Sequence, residues 1–340
     1  MIAQNVVYRA MSRLLWVVLG LLLLPQGSRA QSIDTPLITP RHHPEMASSS
    51  GEGVSIPGLK TRPMRVDVNL VLVPVTVIDS FNRPVIDLPQ RDFSLLEGGV
   101  PQKIQFFSRE DAPISIALVL DFSGSMRNKV DYVRQGLDQF FQNANPEDDY
   151  YVITVSDHPS LVADASQSVN TIEAELAAIE PKGQTALFDS IYLGVNKLRT
   201  ARYKRRAMLI ISDGGDNHSR YNLKEIRHVL EEADVLTYSI GIFDDLPIPL
   251  LKTIEERMGR KWLDDVTRVS GGRDIAADNR RQIPDIAAQI SRELRTQYVL
   301  GYRPTDPNHD GKWRKITVKL AENPGRMRVH FKEGYVAPGP

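Results

Sequence analysis

Between residues 113 and 297 the chain alternates short apolar runs with helical periods, and nothing else in it restricts the fold as much. Ile114 to Asp121, Tyr150 to Val155, Ala207 to Ser212 and Val235 to Ile242 are apolar runs of strand length. Between them Val130, Val133, Leu137 and Phe141 recur at helical spacing, as do Leu187, Ile191, Val195 and Leu198, and then Leu223, Ile226, Leu230 and Ala233. Asn222 and Glu225 stand as an N-cap and its reciprocal partner. A last helical face is formed by Ile283, Ile286, Ile290 and Leu294, with Pro284 in its first turn. Such alternation calls for an α/β fold, a doubly wound, mostly parallel sheet with helices on both faces.

The flanks carry a different period. Val66, Val68, Leu70 and Leu72 recur at period two with Asp67 and Asn69 on the opposite face, and Val73, Val75 and Val77 continue on the other parity, with Pro74 at the change. The whole is one bent strand or a strand pair, with a bulge or an edge position at Pro74. Asn82-Arg83-Pro84 is a turn, and Asp92 to Glu97 and Gln102 to Phe107 are two strands joined through Gly98-Gly99. Strands return after Gln297, at Tyr298 to Tyr302, Trp313 to Leu320 and Met327 to Phe331. Neither set is large enough to be stable alone, so the two are expected to form one β-sandwich-like module with the α/β domain inserted. The expected division is 65–112 and 298–337 for the β module and 113–297 for the α/β domain.

Residues 1–30 read as a secretory signal. Arg9 and Arg13 precede the eleven apolar residues Leu14 to Leu24, and Ser28-Arg29-Ala30 offers a small-x-small cleavage site. Residues 31–64 form a linker, with Pro36, Pro40, Pro44, Pro57 and Ser48-Ser49-Ser50-Gly51 and few apolar side chains. His42-His43 within it is read as solvated coil. There are no cysteines in the 340 residues, so neither disulfides nor a lipidated N-terminal cysteine is available. The expectation is an exported chain, periplasmic or secreted, without a stable membrane span after cleavage. Its net charge is zero, or −3 without residues 1–30, so it has no broad electrostatic footprint for nucleic acid.

Three segments carry the chemistry. Asp121-Phe122-Ser123-Gly124-Ser125 follows the first apolar run, Gly183-Gln184-Thr185 precedes a helical period, and Ser212-Asp213-Gly214-Gly215 closes another run. In an open α/β sheet, ligands gather at the carboxyl ends of strands. Asp121, Ser123, Ser125, Thr185 and Asp213 make five hard oxygen donors without nitrogen or sulfur, a set suited to Mg²⁺, Mn²⁺ or Ca²⁺. Two carboxylates leave a divalent ion little neutralised beyond balance, so an outside carboxylate can still be attracted.

This ordered pattern resembles the metal-ion-dependent adhesion site of von Willebrand factor A domains. The resemblance implies Ser123 and Ser125 as direct ligands of Mg²⁺, Asp121 and Asp213 acting largely through water, and Thr185 as the ligand that changes with conformation. It implies divalent-cation-dependent protein binding, completed by an Asp or Glu of the partner, and a last helix that shifts on engagement. Phe122, larger than the family's usual residue there, should point into packing. Asp216 and Asn217 are read as support or solvent residues. The flanks resemble a bacterial family of secreted "VWFA-related" proteins, through V-D-V…D-F…E-x-G…Q-x-I over 66–107 and Q-Y-x-L-G-Y-x-P…G-Y over 297–337.

Enzymatic readings fit less well. An aspartyl-phosphate phosphatase wants a second Asp where Ser123 stands, and Asp121 occupies the first glycine position of a hydrolase elbow. No Walker loop or G-x-G-x-x-G fingerprint is present. His218, near Asp213, is read as a solvated loop histidine, and the basic run Arg199 to Arg206 as a solvated helix end. The expectation is therefore a binding protein rather than an enzyme. The alternatives are a periplasmic assembly or maturation factor using the same site, and a metal-dependent hydrolase.

Overall fold

The chain begins its described course with a strand that two later segments embrace. In the computed structural model, residues 70–109, 111–243, 254–306, 308–321 and 326–339 are described. The signal and linker readings, His42-His43 and the alternation at Val66 and Val68 lie outside them. Strands β1 (Val71–Ile78), β2 (Phe93–Glu97), β3 (Val100–Gln102) and β4 (Ile104–Ser108) come first. The α/β segment follows: β5 (Ser115–Asp121), α1 (Val130–Gln142), β6 (Asp149–Val155), β7 (Ser160–Ala163), α2 (Val169–Ala177) and α3 (Leu187–Arg199). It continues with β8 (Arg206–Ser212), α4 (Leu223–Ala233), β9 (Leu236–Ile242), α5 (Ile254–Ser270), β10 (Asp274–Ala277) and α6 (Ile283–Arg295). The chain closes with β11 (Tyr298–Tyr302), β12 (Trp313–Leu320), β13 (Arg328–Phe331) and β14 (Gly334–Val336).

The central sheet has the order β10-β9-β8-β5-β6-β7, parallel except for β7. Every residue of β5, and of β9, is buried. On one face Ile116, Leu118 and Leu120 of β5 meet Val133 and Leu137 of α1, Ile172 of α2 and Ile283, Ile290 and Leu294 of α6. On the other, Ala117 and Val119 meet Ile191 and Val195 of α3, Ile226 and Leu230 of α4, and Leu263 of α5. The fold is the doubly wound α/β sheet that the alternation demands. The capping box at Asn222 and Glu225 is formed, through an Asn222 Oδ1 to Glu225 N–H contact at 3.1 Å and its reciprocal at 2.8 Å. The sequence reading did not mark α2, α5, β7 or β10; the last two are four-residue edge strands.

The outer strands form two four-stranded sheets, β13-β1-β11-β4 and β14-β12-β2-β3. Each mixes strands from before and after the α/β segment, and their inner faces share one core of Val73, Val75, Val77, Phe93, Leu95, Tyr298, Leu300, Tyr302, Ile316 and Val318. The β-sandwich-like module is therefore built from both ends. Two details differ from the sequence reading, the path after Gly98-Gly99 and an added last strand, while Pro74 takes the edge position that reading allowed. The hairpin at Gly98-Gly99 leads into β3 only, and the chain changes sheets at Lys103, so Gln102 and Ile104 belong to different layers. β1 passes through Pro74 unbroken, with Pro74 opposite Val299. β13 pairs only with Val75–Ile78, so Pro74 faces a side without a partner strand and its missing N–H costs nothing there. The odd residues of β1 point inward, while Leu72 is 49% exposed. β14 was not anticipated.

The sandwich and the α/β layers lie in one compact unit, Arg65–Pro340. Thr76 Oγ1 lies 3.3 Å from Tyr238 Oη and Lys332 Nζ 3.1 Å from Asp234. Arg205, in the run read as solvated, instead donates to Ala112 O and to Leu294 O at 2.9 Å, tying the entry of β5 to the end of α6.

Candidate metal centre

Asp121 ends β5 with no exposed surface. Pairing of β5 with β8 sets Leu120 opposite Ile211, which brings the next residues, Asp121 and Ser212, together. Ser212 Oγ donates to Asp121 Oδ2 at 2.6 Å. Asp121 Oδ1 accepts the Ser123 amide at 2.9 Å, which turns the chain sharply. The hydroxyls of Ser123 and Ser125 then lie 3.1 Å apart. Phe122 is buried among Leu120, Met126 and Val130 on the helix side, as expected for a side chain turned into packing.

Two further loops are stitched to this turn. The Lys182 amide donates to Phe122 O at 2.9 Å, and the Gly124 amide to Gly183 O at 3.0 Å. A Cβ on Gly124 would lie 3.2 Å from that carbonyl, so the approach wants glycine. Thr185, nearly buried, donates its amide to Asn217 Oδ1 at 3.0 Å, and its carbonyl accepts the amides of Asn217 and His218, each at 3.1 Å. The Thr185 loop is thus clamped to the Asp213 loop. Asp213 accepts the Gly215 amide at 3.2 Å, and Gly214, at φ +79°, packs against the Gly259 backbone where a side chain would collide. All five sequence-marked oxygen donors therefore stand on three hydrogen-bonded loops at one end of the sheet. They lie at the crevice between β5 and β8, where the winding reverses.

The electrostatics are those of a site short of positive charge. Burial, and then the neighbouring Asp213, push the Asp121 carboxyl up to about 6. Two carboxylates and three hydroxyls remain for a ligand. Among the described residues no group of three or more His, Cys, Asp or Glu could hold a metal; this set contains only two such side chains. It fits a hard cation nonetheless. An octahedral shell with metal–oxygen distances of about 2.1 Å has neighbouring oxygens about 3 Å apart, and the two serine hydroxyls have that spacing.

Several supporting residues were not legible as such. Ser212 was part of a marked segment but had no role assigned, and its bond to Asp121 depends on strand register. Asn217, read as support or solvent, is the clamp on Thr185. Asp216 accepts from the Phe188 amide at 2.9 Å and Ser219 Oγ at 2.6 Å, so it caps the start of α3 rather than facing the donors; burial pushes its carboxyl up. Asp157 accepts the Gln184 amide at 2.8 Å. Lys129 places Nζ 3.7 Å from Asp213 Oδ2; nothing in the spacing of the motif marks it. His158 and His218 are exposed on the rim with ring centroids 5.8 Å apart.

A family model described as von Willebrand factor type A domain matches residues 116–215, from β5 through the Asp213 loop. This region is a von Willebrand factor type A domain. Such domains are in general protein-interaction modules. No curated protein matched the chain in sequence. Among solved structures, the conserved hypothetical protein BatB from Bacteroides thetaiotaomicron is 17% identical with a TM-score of 0.42, over 54% of this chain and 100% of that one. A von Willebrand factor type A protein from Catenulispora acidiphila is 11% identical with a TM-score of 0.46, over 72% of each chain. The open conformation of the pilus adhesin SpaC from Lactobacillus rhamnosus GG is 12% identical with a TM-score of 0.44, over 76% of this chain and 48% of that one. No helix among the described residues is long and apolar enough to cross a membrane.

Proposed function

We propose that this chain is an exported, divalent-cation-dependent protein-binding module. Asp121, Ser123, Ser125, Thr185 and Asp213 would hold the ion, with Mg²⁺ favoured and Mn²⁺ or Ca²⁺ as alternatives, and a partner's Asp or Glu would complete its shell. The observation that carries the reading is the fully buried Asp121 carboxylate beside Asp213, with two serine hydroxyls 3.1 Å apart on the adjoining turn. Like charges held together out of water are costly unless a cation joins them. An ion bound there would supply a fixed positive charge for a carboxylate. The chain's own residues position it: Ser212 and the Ser123 amide orient Asp121, and Asn217 fixes Thr185. Among the described residues no side chain at the rim is arranged as an activated nucleophile with its base, which favours binding over hydrolysis. An envelope assembly factor that holds a client through the same site is the second reading, resting on the same geometry.

Calorimetric titration with Mg²⁺ and Mn²⁺ tests the centre. Asp121→Ala and Asp213→Ala should each abolish the binding heat while far-ultraviolet circular dichroism stays unchanged. Unaltered affinity in both variants sinks the assignment. Thr185→Ala should weaken capture of an envelope partner, in crosslinking pulldown with Mg²⁺ against chelator, more than it weakens ion binding.

A further inference from the structure

Two loops at the rim of the central sheet each present an imidazole, and the two rings meet. His158 lies on the loop after β6 and His218 on the loop after β8. Both are exposed, with ring centroids 5.8 Å apart and planes inclined at 45°. Both loops are fastened to the segment that carries Thr185. Ser156 O accepts the Ala186 amide at 2.9 Å, and Asp157 Oδ1 the Gln184 amide at 2.8 Å. The His218 amide itself donates to Thr185 O at 3.1 Å. The two rings line one cavity of about 510 Å³ together with Pro159, Asp189 and Arg220. Asp189 is already engaged there. Its carboxylate accepts the amides of Arg220 and Tyr221 at 2.9 and 3.2 Å, and Arg220 Nε at 3.0 Å. The Arg220 guanidinium thus has its own counter-charge, and the imidazoles are left as the cavity's donors to a ligand.

We infer that His158 and His218 form a two-imidazole site for a borderline-soft divalent ion, Zn²⁺ above all, with Ni²⁺ and Cu²⁺ in the same class. At metal–nitrogen distances of about 2.0–2.1 Å and near-tetrahedral angles, two imidazoles on one ion have centroids about 5–6 Å apart. The observed 5.8 Å meets that requirement. The loops that carry the rings are held by backbone hydrogen bonds, so the spacing is built into the fold rather than found by two free side chains. Imidazole nitrogen suits ions of this class, whereas the five oxygen donors suit hard ones. The two sites therefore select different cations, and the inference does not draw on the reading of the oxygen donors. Two protein ligands leave the remaining positions to water or to a side chain of a bound partner.

The test uses the full chain with Zn²⁺ as the probe, in saturating Mg²⁺ so that hard-ion donors are occupied. Calorimetry should show Zn²⁺ binding that His158→Gln and His218→Gln each weaken by more than the ~10-fold that even a supporting residue of a metal site is worth. In NMR spectra of the histidine rings, His158 and His218 should shift with one common midpoint. His42→Gln with His43→Gln removes the adjacent pair elsewhere in the chain and should bind as the parent does. Omitting Mg²⁺ should leave the affinity unchanged. Both side chains are exposed, so the variants should melt with the parent in the absence of Zn²⁺; a Gln variant that melts lower is replaced by Asn at the same position. Parent-like Zn²⁺ binding in either His158 or His218 variant overturns the inference, as do ring signals with separate midpoints or a parent that does not bind Zn²⁺. Loss of binding in the His42 and His43 variant places the ion elsewhere and overturns it too. Zn²⁺ binding seen only without Mg²⁺ belongs to the oxygen donors and overturns it as well.

Discussion

Asp121 is buried and His330 half-buried, and both are held away from their ordinary ionisation by lost hydration. For Asp121 the neighbouring Asp213 adds to the effect. His330, on β13 opposite Thr76, is pushed down to about 4 by burial and then by the positive charges of Arg273 and Arg328. The sign of its pH dependence follows. The folded state keeps the imidazole neutral, whereas the unfolded chain protonates it below its ordinary value of 6.5. Its contribution is therefore fully present above that value and is lost as pH falls from about 6.5 to about 4, by ~3 kcal/mol. Asp274, raised to about 6 by burial, acts in the opposite direction over part of that window. The comparison must therefore be with a variant rather than with one curve. Urea midpoints measured between pH 7 and 4 should fall less steeply for His330→Gln than for the parent. Parallel curves would show that His330 does not carry the effect.

At the scale of elements, α6 joins the two halves of the molecule. Its apolar face, Ile283, Ile286, Ile290 and Leu294, is buried as its spacing requires. Gly136 of α1 lies against Ile283 and Ala287, where a side chain would crowd the helix pair. The polar contacts of α6 were not legible. Glu293 has no exposed surface and pairs with Arg273 beside β10, and it also accepts Gln289 Nε2 at 3.0 Å. A buried pair contributes little net stability when whole, but losing one partner strands the other charge. Arg273→Met should destabilise the fold by about 3–5 kcal/mol, read from urea unfolding. Adding Glu293→Leu should recover most of the loss, because the stranded carboxylate is then gone. A double variant no more stable than Arg273→Met would assign the cost to packing.

For the whole molecule, the absence of slack after α6 matters most. The helix ends at Arg295, and β11 begins at Tyr298 between β1 and β4. Gln297 reaches Thr76 at 3.5 Å, and Arg295 binds Asp148 at 2.9 Å and Asp111 at 3.0 Å. At its other end, the segment leading into α6 holds the carbonyl before Lys129 through Arg280. Any displacement of α6 would therefore be felt by both the proposed ion site and the sandwich. Coupling of this kind must be reciprocal. Inserting a flexible Gly/Ser spacer after Thr296 should change affinity for the proposed acidic partner while Mg²⁺ binding stays intact. Unchanged affinity, together with scattering curves that do not respond to the partner, would leave α6 as a tether only.

The sequence alone determined the layers and the loop ends. Burial on one helical stripe, or on a whole strand, must appear as apolar periodicity, so β5, β8, α1, α3, α4 and α6 were readable, and with them the positions of Asp121, Thr185 and Asp213 at strand and helix ends. Mixed sheets were foreseeable too, because neither terminal strand set can bury a core by itself. What only the tertiary structure decided are contacts between segments remote in the chain. The Ser212 bond to Asp121 depends on strand register. The change of sheets at Lys103 depends on which edges are free. The approach of Lys129 to Asp213, 84 residues apart in sequence, depends on how α1 leaves its loop. Local propensity is short-ranged and carries no information about such meetings; packing of the completed layers selects them.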